Sequence, residues 1–165
     1  MAKVKVYVGI DIGLKGAIAS IDHLNVTGLK MPVLGKEVDP HAIIAELDKL
    51  KPDYVVFEKL GVIFGTSKST ALSMGKQSGI IETACICLGV PYTAVPAKQW
   101  QKDMFVGITE AKKANGKRDT KAMALITCKR IFPNVDLVFG DRATKPHDGY
   151  VDAILMAEWA KRNNL

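Results

Sequence analysis

Four acidic residues stand where a solvated acid would be out of place, and their types and spacing point to one chemistry. Asp11 lies in the stretch Lys3 to Ile12, where Val4, Val6, Val8, Ile10 and Ile12 alternate strictly. Glu58 ends the apolar run Tyr54-Val55-Val56-Phe57. Asp148 and Asp152 are four residues apart, in a pattern that continues through Leu155 and Trp159, so on a helix both share the face turned to the core. An ionised carboxylate in such surroundings is costly unless cations pair with it or a metal binds it. Mg²⁺ takes carboxylate oxygen and water, and two such ions roughly 4 Å apart clamp the attacking and leaving oxygens of a phosphodiester. In that chemistry one ion activates a water and the other stabilises the departing 3′-oxygen, leaving a 5′-phosphate and a 3′-hydroxyl.

Each acid also has a plain structural reading. Asp148 follows Pro146-His147 and suits a helix N-cap, Asp152 could pair with a lysine, and Glu58 could close a strand at the surface. Asp11 is the hardest to explain in this way, and it is the combination that favours a metal-binding cluster.

The elements that must position these residues follow from periodicity. Lys3 to Ile12 reads as a strand with one face on a core, with Asp11 on the other face beside Lys5, Tyr7 and Gly9. Ala17 to Ile21 and Val26 to Met31 complete an antiparallel meander. Asp39-Pro40 opens a helix that runs to Lys51. Tyr54 to Phe57 is a buried strand, Thr66 or Ser67 caps a helix over roughly Ser69 to Leu88, and Tyr92 to Val95 is a parallel partner strand. A short helix around Lys98 to Met104 precedes a polar loop, Thr109 to Lys117, with an Asn115-Gly116 turn. Asp119 caps a helix to Phe132, and a final helix spans about His147 to Lys161. The expected architecture is a single α/β domain over residues 1–165, with a five-stranded mixed sheet flanked by helices.

Composition narrows the class. At 165 residues, 48% hydrophobic and 24% charged, the chain has the make-up of one ordinary globular domain. No apolar run approaches the roughly 18 residues that would suggest a membrane span, and Met1-Ala2-Lys3-Val4-Lys5 lacks the apolar core of a signal peptide, so a cytoplasmic location is expected. Cys85, Cys87 and Cys128 have neither C-x-x-C nor zinc spacing. The net charge of +6 is concentrated: between Pro96 and Phe132 nine basic residues face three acids, and the rest of the chain cancels. Such a segment suits a polyanionic partner, although charge-rich loops are often merely solvated.

The motifs together resemble the RuvC-type Holliday-junction resolvases of the RNase H-like superfamily, especially the short phage and viral members. Val8-Gly9-Ile10-Asp11-Ile12-Gly13 is similar to the family's first-strand motif, and Val56-Phe57-Glu58-Lys59 to its second acidic motif. Ser73-Met74-Gly75-Lys76-Gln77-Ser78-Gly79 resembles its glycine-containing helix. Val95-Pro96-Ala97-Lys98-Gln99-Trp100-Gln101-Lys102 resembles the strand-to-helix stretch, and His147-Asp148-Gly149-Tyr150-Val151-Asp152-Ala153 the paired-acid helix. The resemblance implies an RNase H-like fold and a homodimeric endonuclease that nicks four-way or branched DNA symmetrically. It implies that Asp11, Glu58, Asp148 and Asp152 are catalytic and bind two Mg²⁺ (or Mn²⁺) ions. It also implies that Lys102, Lys117, Arg118 and Lys121 contact DNA. Many members space the last two acids three apart rather than four, which makes His147 a further candidate. Phe64 is the candidate for the aromatic that the family wedges into the junction, or else a core-edge phenylalanine. The helix from Ser69 to Leu88, with Ala71, Met74, Ser78 and Ile81 on one side, is either a dimer seam or core.

Three other functions compete with this one. Gly9-Ile10-Asp11-Ile12-Gly13 is shared with sugar kinases and actin-like ATPases, but those need two such domains around a cleft, and the chain has no G-x-x-x-x-G-K-[ST] loop. A branched-DNA-binding protein without catalysis would use the same basic segment with structural acids. An RNase H-like nuclease acting on RNA or hybrid duplexes would use the same carboxylates.

Overall fold

The computed structural model describes residues 4–23, 25–61, 67–140 and 142–165. Strand β1 (Val6–Asp11) pairs antiparallel with β2 (Ala17–Asp22), which pairs antiparallel with β3 (Asn25–Lys30). A small hairpin of β4 (Val33–Leu34) and β5 (Glu37–Val38) follows, which the alternation of the sequence does not announce because each strand is only two residues long. Helix α1 (Pro40–Leu50) then leads to β6 (Tyr54–Glu58), parallel to β1. Helix α2 (Lys68–Cys87) crosses to β7 (Tyr92–Val95), parallel to β6. Helices α3 (Ala97–Met104), α4 (Thr120–Ile131) and α5 (Asp148–Arg162) complete the chain. The sheet order is β3-β2-β1-β6-β7, three antiparallel strands and then parallel ones, as expected.

Most helix starts fall where the caps predict. Asp39 Oδ1 accepts from the His41 and Ala42 amides at 3.0 and 3.2 Å, Ser67 Oγ from Thr70 at 3.1 Å, and Asp119 Oδ1 from Ala122 at 3.1 Å. The segment expected as a polar loop is tied into a turn: Lys112 bridges Arg118, and the Lys113 amide donates to the Lys117 carbonyl at 2.8 Å.

The main departure concerns β1, which is covered on both faces rather than one. Val8 and Ile10 pack with Ile43, Leu47, Phe57 and Ile81 beneath α1 and α2, while Tyr7 belongs to the core under α5. Gly9 makes the second cover possible, because a Cβ there would strike the Ala153 carbonyl of α5. The face bearing Asp11 therefore looks at a buried helix and not at solvent. From Gly149 to Ala160 every residue of α5 is buried except Asp152, which is half-buried. A helix buried nearly all round belongs at the centre of a domain; of the two carboxylates in that span Glu158 pairs with Lys161 and Arg162, whereas Asp152 forms no ion pair among the described residues and requires a reason. Ile81 is likewise fully buried, so it cannot belong to a dimer seam; on α2 the large exposed apolar side chains are Leu72 and Ile86, and Ala71 is exposed beside the first. Among the described residues no helix is long and apolar enough to cross a membrane.

Candidate active site

Parallel pairing sets the first two acids side by side. In the β1–β6 register Ile10 stands opposite Phe57, so Asp11 and Glu58 follow one residue later at the carboxyl edge of neighbouring strands. Both continue the side of the sheet that carries Tyr7 and Val56, which is the α5 side. That edge is where open α/β sheets bind ligands, because chain direction leaves a crevice there.

Helix α5 brings the other two. Its N-cap is His147, whose Nδ1 accepts from the Tyr150 amide at 3.1 Å, so Asp148 is the first helical residue and not the cap. Gly149 lets the first turn press on the strand end: a Cβ there would sit 2.5 Å from Asp11 Oδ2 and 3.0 Å from Gly16 Cα. Asp152 lies one turn further along, in electrostatic reach of Glu58 and Asp148.

The electrostatics reflect the crowding. Burial, then the charges of Asp152 and Glu58, push Asp11 up to about 7, and Lys121 opposes the rise. Burial, then Glu58 and Asp148, push Asp152 up to about 7. Glu58 is also raised by burial. The indole of Trp100 lies close enough to Glu58 to oppose that rise, yet its buried Nε1 has no partner in hydrogen-bonding geometry. Like charges held together in low dielectric cannot all ionise at neutral pH without a compensating cation. Lys121 supplies part of one: its Nζ donates to Asp148 Oδ2 at 2.6 Å.

The donor set is therefore of the right chemistry for hard divalent cations: carboxylate oxygens only, mutually repelling, at the rim of an open cleft. These oxygens are not gathered into a chelate. Among the described residues no three His, Cys, Asp or Glu side chains are arranged to hold an ion, and Asp148 is engaged with Lys121 instead. The four acids expected to converge thus share one strand edge and helix end, but Asp148, expected on the core face beside Asp152, is exposed and turned to Lys121, because as the first helical residue it lies at the open end of α5.

The cleft itself measures about 500 Å³ and is lined by Asp11, Asp148 and Asp152 together with Lys15, Lys30, Lys121, Lys145 and His147. Of the described residues proposed from sequence for DNA contact, Lys121 alone lines it. Lys102 is exposed in the last turn of α3, and Lys117 is exposed in the turn before α4. Arg118 Nε donates to Met123 Sδ at 3.3 Å and its guanidinium lies 5.8 Å from the Phe105 ring centroid. Phe64 lies outside the described residues. Burial and the charge of Lys30 lower the His147 pKa, and its Nδ1 is occupied as the acceptor of the capping bond. Lys15, Lys30 and Lys145 do not stand out in the sequence. The available signal is adjacency, since Lys15 is four residues after Asp11 and Lys145 three before Asp148. Lys30 has no such signal and reaches the cleft through its pairing with Ala17.

The sheet order β3-β2-β1-β6-β7, with the terminal helix α5 packed on β1, is that of the RNase H-like fold. Within that class the architecture matches RuvC. The structure of RuvC from Thermus thermophilus in complex with a Holliday junction substrate superposes with a TM-score of 0.66 at 18% identity, over 97% of this chain and 94% of that one. A second Thermus thermophilus RuvC structure gives 0.62 at 18% identity, covering 96% of each chain. The yeast mitochondrial Holliday junction resolvase Ydc2 gives 0.53 at 13% identity, over 94% of this chain and 77% of that one. No family model matches the sequence, and no curated protein matches it.

Proposed function

We propose that the protein is a divalent-metal-dependent endonuclease that resolves Holliday junctions or other branched DNA by paired symmetric nicks. The observation that carries this reading is the coupled set Asp11, Glu58 and Asp152 at the carboxyl edge of a RuvC-like sheet, two of whose members are pushed up to about 7. Such a site is expensive for the fold and has no structural use, whereas two Mg²⁺ or Mn²⁺ ions would neutralise it. Bound there, the ions would supply an activated water and stabilise the 3′-oxygen that leaves, giving 5′-phosphate and 3′-hydroxyl ends.

The chain's own residues prepare that chemistry. Asp11 and Asp152 offer oxygens from firmly held backbone, one at a central strand end and the other on the buried helix packed against it. Glu58 completes the edge, held against Trp100. Asp148 would hold an ion only in place of Lys121, whose ammonium would then be free for a phosphate. Asp11 and Asp152 would have to give up protons held to about 7 to bind an ion, so metal affinity should strengthen as pH rises through that range. Lys102, Lys117 and Arg118 contribute contacts further along the DNA backbone. Two copies joined through the outer face of α2 would place two such clefts on one two-fold junction.

The test is direct. A labelled four-way junction with Mg²⁺ should yield paired nicks in opposite strands, abolished by EDTA and by Asp11→Asn. Intact strands with the unaltered protein, or undiminished cleavage by Asp11→Asn, would sink the proposal. Tight junction binding that ignores chelators and never leads to nicking would identify a non-catalytic binding protein.

A further inference from the structure

Four lysines enter the acidic cleft, and the structure divides them. Lys121 is bound to Asp148 at 2.6 Å. Lys15, Lys30 and Lys145 are exposed and form no ion pair among the described residues. None of the three belongs to the basic segment from Pro96 to Phe132. They come from three distant parts of the chain: the turn between β1 and β2, the last residue of β3, and the approach to α5.

The backbone that carries Lys15 and Lys30 is fixed. The Met31 amide donates to the Gly16 carbonyl at 3.0 Å, which laces the β1–β2 turn to the end of β3 and sets Lys15 and Lys30 on one rim. The first turn of α5 rests on that turn, since a Cβ on Gly149 would lie 3.1 Å from the Lys15 carbonyl. Lys145, just before the α5 cap, closes the same rim. Lys15, Lys30 and Lys145 line the same cleft as Asp11, Asp148 and Asp152 yet form no ion pair with them, so their ammonium groups are left for an anion that the cleft admits. The opening extends beyond the acids themselves, as a polymer passing through would require.

We infer that Lys15, Lys30 and Lys145 form a seat for the backbone phosphates on either side of the one presented to the acids. This rests on the nuclease reading for the identity of the polyanion. Three ammonium groups on one rim hold a strand in register without reading its bases, because phosphate contacts position and do not specify. The basic segment is then an outer contact, and the rim is the one that aligns the strand with the carboxylates.

The experiment uses the full chain and measures binding to a labelled four-way DNA junction in EDTA at several salt concentrations. The Lys15→Gln/Lys30→Gln/Lys145→Gln variant should flatten the slope of log K against log salt by roughly 0.9 for each phosphate set free. The corresponding Lys→Arg triple should restore it. Binding should weaken alike for junctions of different sequence, and Mn²⁺ affinity measured by calorimetry should not fall. A wild-type slope in the Gln triple overturns the seat. If the unaltered protein never nicks DNA but the triple loses its slope, the seat stands and the nuclease reading fails. If the unaltered protein nicks and the triple binds with the wild-type slope, the nuclease reading stands and the seat fails.

Discussion

The acidic cleft and the basic segment from Pro96 to Phe132 carry the two chemistries this chain is richest in, and they are built on opposite principles. In the cleft, charges are forced together: β1 and β6 end side by side, α5 is pressed onto them, and burial raises Asp11 and Asp152 to about 7. In the basic segment charges are spread over the surface, and some have local uses. Arg118 lies by Phe105 and Met123, and Arg130 Nη2 donates to the Val106 carbonyl at 3.1 Å. Only Lys121 joins the two regions. Charge dense in sequence therefore marks a surface, whereas charge convergent in space marks a site. The lysines of the cleft rim, drawn from residues 15, 30 and 145, are dispersed in sequence and converge only in the fold.

Replacing a member of the convergent set should have the largest effect. Asp152→Asn should reduce junction cleavage by about a thousandfold, because one ligand of the proposed metal pair is removed. The same variant should make the metal-free protein more stable at pH 8, by a few kcal/mol at most. The sign follows from the raised value: a carboxyl that holds its proton to about 7 when folded, against an ordinary value of 3.8, favours folding at low pH and loses that contribution as pH rises. Urea denaturation in EDTA should show the advantage of Asp152→Asn growing between about pH 4 and 7 and vanishing below. A smaller advantage at pH 8 than at pH 4 would remove the contrast between the regions.

Gly149→Ala tests the contact that presses α5 onto the strand end. The added methyl meets Asp11 Oδ2 at 2.5 Å, so the carboxylate must shift, and Mn²⁺ affinity should fall on the order of tenfold or more. Lys121→Met acts in the other direction. Removing the cation that holds Asp148 should raise Mn²⁺ affinity in calorimetry by a few-fold, the scale of an exposed ion pair. A fall in affinity would mean that Lys121 positions Asp148 rather than competing for it. The smallest effect belongs to the dispersed region. Lys102→Ala should flatten the salt dependence of junction binding by at most roughly 0.9 and leave the pH dependence of metal binding where it was.

Much of this arrangement is legible in the chain. Strict alternation from Val4 to Ile12, the Asp39-Pro40 and Asp119 caps and the strand-helix-strand spacing around α2 define the elements and their order. Asp148 and Asp152 at i and i+4 define the helix face. Other features are not legible, for reasons of distance. A period of two says that one face of β1 is apolar, but not that Gly9 admits a helix to the other. His147 and Asp148 are adjacent and either could cap; in the fold His147 does so, while Asp148 is held by Lys121, 27 residues away. Ile81 fits both a seam and a core until the sheet it packs on is in place.

What the sequence by itself determined was local: which residues form strands and helices, which carboxylates interrupt an apolar pattern, and where basic charge accumulates along the chain. These follow from side-chain volume, polarity and spacing, which act between neighbours. Only the tertiary structure decided that both faces of β1 are buried, that Asp148 rests on Lys121, and that Lys15, Lys30 and Lys145 share one rim. Those outcomes depend on chain direction at the sheet edge and on two glycines where helix and strand touch. Coulomb energy falls with distance in space and takes no account of distance along the chain.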